Sequence, residues 1–312
     1  MNRRAIAAAV ALLGLAAKVL VLSLATGTGA EATTLTPYPD PAALEAWRAD
    51  RVAGLTGEDG WLTPVGLLWL EAGDNTFGRA PANSLVLDHP ALPAFTGTFT
   101  MRGRNVSFTA AKGADVRVGG VAVTRLALAS DRAGEPTVLE HGSLRFHVIE
   151  RAGRLAVRVR DRENPRRREF AGLQYFPATA DWIVEARFEP YVPARKIPIM
   201  NVLGYEDEMV APGALVFEKD GREWRLDAIL DRPDATHLFV MFADGTTGRE
   251  TYGAGRFLYT ALPRDGRVTL DFNRAYSPPC AFNLFATCPL APAQNRLELR
   301  IEAGELRYAG EY

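Results

Sequence analysis

Beyond its first thirty residues, the chain alternates apolar and polar positions with the two-residue period of half-buried β-strands, interrupted at short intervals by glycine and proline. Strands are expected at 83–88, 98–101, 106–110, 116–118, 121–128, 144–150 and 155–160. Gly119-Gly120 and Ala152-Gly153 link neighbouring runs as tight hairpins, and Asp220-Gly221 is the clearest such turn, with Trp224, Leu226 and Ala228 alternating onto one face behind it. One segment has a helical period instead. Asp40 reads as an N-cap and Pro41 as the first helical residue, Leu44, Trp47, Arg51 and Leu55 form a stripe, and Gly54 and Gly57 end it. The pattern predicts a mainly β protein with one N-terminal helix, a small β-sandwich and then a larger antiparallel β-barrel or sandwich. The expected divisions are residues 1–32, a linker and helix over 33–59, the small sandwich over 60–130 and the larger part over 131–312.

The first residues change the picture. Arg3 and Arg4 precede an apolar run to about Ala25, broken only by Lys18, and Ala30-Glu31-Ala32 fits a cleavage site. This is the pattern of a secretory signal peptide, with a secreted or periplasmic location. An uncleaved membrane anchor is the rival, against which Lys18 weighs at roughly 2.5–3.5 kcal/mol for a central lysine. Composition is otherwise ordinary: 47% hydrophobic, 23% charged and a net charge of −1 give no electrostatic case for nucleic acid. Export would place both cysteines, Cys280 and Cys288, in oxidising surroundings where a pair tends to close into a disulfide, adding about 2–3 kcal/mol of stability. Two buried thiols or half of a metal site are the other readings.

Candidate chemistry concentrates in residues 244–296, where aromatic, polar, Gly, Pro and Cys residues crowd together. If 267–273 forms one strand, Val268, Leu270 and Phe272 face one way. Asp271 and Asn273 then share the other face, roughly 7 Å apart. Arg256 and Arg296 are the candidates to clamp negative charge, Tyr252, Tyr276 and Asn273 to orient a ligand, and Asp271 or Glu250 to act as acid or base. The sequence contains no phosphate-binding loop, no G-x-S-x-G elbow and no H-E-x-x-H, and its four histidines are dispersed.

Longer runs carry two resemblances. Phe77-Gly78-Arg79, residues 83–88 and Gly119-Gly120-Val121 resemble a forkhead-associated domain over about residues 66–123, with Arg79 where that family holds phosphothreonine. The partner Ser and His of that family are missing from residues 91–97. Glu250-Thr251-Tyr252, residues 255–258, DFNRAYSPPCAF at 271–282, residues 287–290 and Asn295-Arg296-Leu297 resemble the uncharacterised bacterial and archaeal family catalogued as domain of unknown function 1684. Ser277 stands where that family commonly has Asn. The resemblance implies no activity.

The functional expectation is an exported protein that binds a small polar or anionic molecule in a C-terminal pocket, with hydrolysis as the chemistry if any occurs. The alternative is a non-catalytic cell-envelope binding or structural module. No cofactor is expected, nor a membrane span after signal cleavage.

Overall fold

Asp40 opens the helix as its spacing requires, accepting the Ala43 N–H at 2.9 Å, with Pro41 contributing no donor that needs a partner. The computed structural model describes residues 36–310, and the expected signal segment 1–32 lies outside them. Helix α1 (Pro41–Thr56) buries Leu44 and Leu55, passes through Gly54 and ends at Gly57, whose N–H bonds the Ala53 carbonyl.

The first group of strands comprises β1 (Pro64–Trp69), β2 (Gly73–Gly78), β3 (Leu85–Val86), β4 (Gly97–Arg102), β5 (Asn105–Ala110), β6 (Arg117–Val118), β7 (Val121–Ala122), β8 (Arg125–Leu128), β9 (Leu139–His141), β10 (Leu144–Arg151) and β11 (Arg154–Asp161). They form a sheet in the order β3-β2-β4-β5-β8 and another in the order β1-β11-β10-β9-β6-β7. Both sheets contribute to one core, in which Phe77, Phe99, Phe108 and Phe146 meet at ring distances of 4.8–6.3 Å with Val148, Val157 and Val159. A division after residue 130 does not coincide with a break in pairing. β9–β11 complete the second sheet, and β11 pairs with β1 across nearly ninety residues of sequence. Local alternation cannot reveal such a long-range partner.

The second group is β12 (Ile183–Met200), β13 (Glu206–Lys219), β14 (Arg222–Leu230), β15 (His237–Phe242), β16 (Arg256–Ala261) and β17 (Arg267–Asp271). All pair antiparallel in the order β16-β15-β14-β13-β12-β17 around Leu215, Leu226, Leu238, Val240, Phe242, Leu270 and Phe272. The Asp220-Gly221 turn has positive φ at both residues (55° and 71°), as a type I′ hairpin needs. The sheet curls until its end strands almost close a barrel. Along that seam, Phe257 of β16 bridges to Tyr276 beyond β17, the Asp265-Gly266 turn is closed by Arg264 and Arg267, and Thr260 Oγ1 donates to the Thr269 carbonyl at 2.6 Å.

The expected strand through Asn273 stops two residues early. Asp271 Oδ1 accepts the Asn273 N–H at 3.1 Å, so the chain turns through a short 3-10 segment, Phe272–Arg274. An Asp side chain that bonds the backbone two residues on competes with the ladder and wins here.

Helix α1 is pinned across the end of the barrel by one arginine. Arg51 Nε lies 2.8 Å from Glu305 Oε1 and its Nη2 donates to the Ser277 carbonyl at 2.7 Å, while Glu305 Oε2 accepts the Ser277 N–H at 2.8 Å. Glu305 is wholly buried. Removing one member of a buried pair strands the other's charge, at about 3–5 kcal/mol. Glu305→Gln should therefore lower unfolding free energy in urea by about that amount. The double replacement Arg51→Met with Glu305→Leu should cost less than Glu305→Gln. A loss below about 1 kcal/mol for Glu305→Gln would mean that the apolar stripe alone holds the helix.

A half-buried histidine makes stability depend on acidity. Burial first, and then Arg158 and Arg160, push the His147 imidazole from its ordinary value down to about 4, with Asp131 opposing and Arg151 adding to the fall. The folded state thus prefers the neutral ring. Its stabilising contribution is complete above the unfolded value of about 6.5 and is lost as pH falls toward 4. Between pH 7 and pH 4, wild-type protein should lose about 3 kcal/mol more than His147→Gln, read by urea unfolding at each pH. Equal losses would remove His147 from the acid response.

Candidate functional site

The seam between β16 and β17 is roofed at one end by α1, and a groove of about 840 Å³ runs along it. Trp47 comes from the helix, Tyr259 from β16, and Tyr276 from the segment after the 3-10 turn. Tyr259 and Tyr276 lie nearly parallel, 6.5 Å apart at 15°, and Trp47 approaches Tyr276 at 6.5 Å and 58°. Behind them, Phe239 and Phe257 back the two tyrosines at 4.9 and 5.9 Å. Tyr259 is 45% exposed, so an apolar ring face is left open to solvent in the groove. His237 stands at one end and Asp271 with Arg274 at the other.

Asp271 is heavily committed. Its Oδ2 accepts from the Tyr38 hydroxyl at 2.6 Å and lies 3.3 Å from Arg274 Nε, while its Oδ1 accepts the Asn273 side-chain amide at 2.9 Å. Asn273 is fully buried and spans to Thr179, accepting its N–H at 3.0 Å and donating to its carbonyl at 2.9 Å. Burial and then the Asp271 contact raise the Tyr38 hydroxyl above its ordinary value. Burial also raises Tyr276 and Tyr259, the latter further by Tyr276 and by its bond to Asp231 at 2.9 Å. All three phenols are thus held as donors at neutral pH.

Of the seven candidates from the sequence, the fold brings Asp271, Asn273 and Tyr276 together. It does not add the two arginines. Arg256 is 1% exposed and lies 3.2 Å from Asp244 Oδ1, with further bonds to the carbonyls of Ile301 and Ala303. Burial lowers its pKa, and Asp244 acts in the opposite direction. Asp244 in turn accepts from Thr246 and from the Ile301 N–H, so this is a closed network that ties the β15–β16 connection to the C-terminal segment. Arg296 is exposed and joins the protein through a main-chain bridge to Ala243.

Glu250 lies elsewhere, half-buried and paired with Arg300 at 2.9 Å, which holds its carboxyl below the ordinary range. Tyr252 donates to the Cys280 carbonyl at 3.0 Å and lines a separate depression of about 570 Å³ with Tyr308 and Arg307. The expected clamp of Arg256, Asp271 and Arg296 is therefore not formed.

Several groove residues escaped sequence reasoning. Trp47 was legible as the anchor of an amphipathic helix, which it is, but its second face lines the groove. Arg274 lies inside DFNRAY, three residues beyond Asp271, and a turn capped at Asp271 would have placed the two side chains together. Tyr38, Tyr259 and His237 carry no local signal; only the curl of the sheet brings them in.

Cys280 and Cys288 are free and buried, and the disulfide expected from the sequence is not formed. The Cys280 N–H donates to Cys288 Sγ at 3.2 Å, so the two thiols adjoin.

No curated protein matches the chain. A solution NMR structure of an uncharacterised protein from Haloarcula marismortui is 34% identical, over 46% of this chain and 81% of that one, with a TM-score of 0.40. A family model described as "Protein of unknown function (DUF1684)" matches residues 168–306. That span holds Arg256, Asp271 to Tyr276, both cysteines and Glu305, and through it the chain belongs to the DUF1684 family.

Proposed function

We propose that this protein is an exported binding protein that holds a small, carboxylated ring compound in the groove over the β16–β17 seam. The observation that carries the reading is the open face of Tyr259 beside Tyr276 and Trp47, in line with a cationic end at Arg274. Rings of this kind accept a flat or sugar-like face, and an arginine fork takes a carboxylate. Tyr259 and Ala261 on one wall and Thr269 on the other lie on the two end strands of the sheet, which share no ladder, and their edges favour a ligand with hydroxyl or amide groups. Asp271 serves as a fixed acceptor that orients Tyr38 and Arg274.

The N-terminal pattern of Arg3, Arg4 and a long apolar run supports export. Oxidising surroundings would then close the adjoining Cys280 and Cys288 thiols into a disulfide. The non-catalytic envelope module keeps one specific support, the closed Arg256–Asp244 network, which serves the fold without a ligand.

Mass spectrometry of small molecules retained by native protein tests the groove. Carboxylated ring compounds should be enriched on wild type and reduced by about tenfold or more on Tyr259→Ala and Arg274→Gln, equivalent to about 1.4 kcal/mol each. Both variants should keep wild-type circular dichroism. Retention of the same molecules by all three proteins would sink the assignment, as would an empty wild type.

A further inference from the structure

Outside the groove, one side chain stands in an unusual position. Arg158, in the middle of β11, is 3% exposed and has no carboxylate within ion-pair distance among the described residues. Its Nη2 donates to Thr287 Oγ1 at 3.3 Å and reaches the Phe285 carbonyl at 3.5 Å, and its Nε has no hydrogen-bond partner. Around it are more cations. Arg160 shares the Trp61 ring with it at 5.1 and 5.2 Å, Arg151 donates to the same Thr287 hydroxyl at 3.0 Å, and His147 faces both β11 arginines. Asp131 acts on it from farther off, and it is already paired with Arg151 at 2.7 Å. Burial first, then Arg151 and Arg160, lower the Arg158 guanidinium to about 9, and Asp131 and Cys288 oppose the fall.

Thr287 is the residue before Cys288. The loop that carries it is fastened on both sides. The Val202 N–H bonds the Cys288 carbonyl at 3.0 Å, and the Asn283 amide donates to the Trp61 carbonyl at 2.8 Å. The arginine-rich face of β11 and the thiol pair are therefore held against each other. Within the pair, hydrogen bonds from Cys288 and Tyr252 hold the Cys280 thiol below its ordinary value, while burial raises Cys288.

We propose that Cys280 and Cys288 form a redox-active pair that exchanges reversibly with external disulfides, and that Arg158 is the buried cation that favours its reduced form. The Cys280 thiolate attacks one sulfur of an external disulfide, and the leaving thiolate takes up a proton. Cys288 then gives up its proton, attacks Cys280 Sγ in the mixed disulfide and expels the second thiolate, which is protonated in turn. Two protein thiols become one disulfide, and the external disulfide gains two electrons and two protons. A neighbouring positive charge stabilises the thiolate side of this balance, which makes the protein disulfide a stronger oxidant. The cysteines are 7% and 5% exposed, so exchange passes through local opening of the 282–287 loop, where Leu284 is already 68% exposed. This inference does not depend on ligand binding in the groove.

Equilibration of the whole protein in glutathione buffers, then acid quench and alkylation, measures the ratio of reduced to oxidised pair. Wild type should be half-oxidised at a squared-thiol-to-disulfide ratio about tenfold or more below that of Arg158→Met, with Arg158→Lys within about threefold of wild type. Equal ratios for wild type and Arg158→Met would overturn the role of Arg158, and failure to oxidise at any ratio would overturn the pair. Should Arg158→Met not fold, the same ratio measured on Arg158→Gln decides: about tenfold or more above that of wild type supports the role of Arg158, and equality overturns it.

Discussion

The ion pair between Arg51 and Glu305 is the constraint through which the helix, the C-terminal segment and the groove become one object. Glu305 has no solvent, so its charge must be answered within the protein. Arg51 answers it from α1 and, in the same fork, holds the Ser277 carbonyl. Its guanidinium also lies 4.7 Å from the Tyr276 ring and 5.4 Å from Phe282. One side chain thus fixes where the helix sits, where the chain runs after the 3-10 turn, and how Tyr276 is presented. Trp47 reaches the groove because it is one helical turn before Arg51 on the same stripe.

Buried guanidinium groups serve the fold in two different ways. Arg256 and Arg51 are each matched by a buried carboxylate and by main-chain carbonyls, so their charge is neutralised where it lies. Arg158 is matched by a hydroxyl, a carbonyl and an aromatic ring, none of which carries a full charge. Desolvating a cation without a counter-charge is costly. The DUF1684 region and the first sandwich meet at this side chain: β11 belongs to the sandwich, and the Thr287–Cys288 loop belongs to the family region.

Much of the fold was legible locally. The alternation in 98–110 and 144–160 gave β4, β5, β10 and β11, Ala152-Gly153 gave the β10–β11 turn and Asp220-Gly221 the β13–β14 turn, because strand faces and positive φ are written in neighbouring residues. Asp40-Pro41 gave the helix start for the same reason. The site was legible only in part. Asp271, Asn273 and Tyr276 lie within six residues and stay together whatever the fold does. Arg256 and Arg296 are far from Asp271 in sequence, and their placement depends on which way β16 turns its side chains and on a late main-chain bridge, neither of which a residue pattern specifies. The alternation rule also failed at Asp271, where a side chain that could cap its own turn outweighed two more residues of ladder.

That early turn has a structural effect larger than two residues. Continuation of β17 through Asn273 would have carried Asn273 along the strand edge. Instead Asp271 turns the chain, Asn273 is drawn inward onto Thr179, and Arg274 is left beside the Asp271 carboxylate at the groove's end. The seam is bridged at Phe257 and Tyr276, the turn at Arg264 and Arg267 joins its two sides, and the Thr260 hydroxyl reaches across between them. The same hydrogen bonds that make DFNRAY look like a structural motif therefore also shape the end of the groove. A structural network and a binding site need not be rival explanations for these residues, since the buried half of the network, Asn273 and Asp271, positions the exposed half, Arg274 and Tyr276.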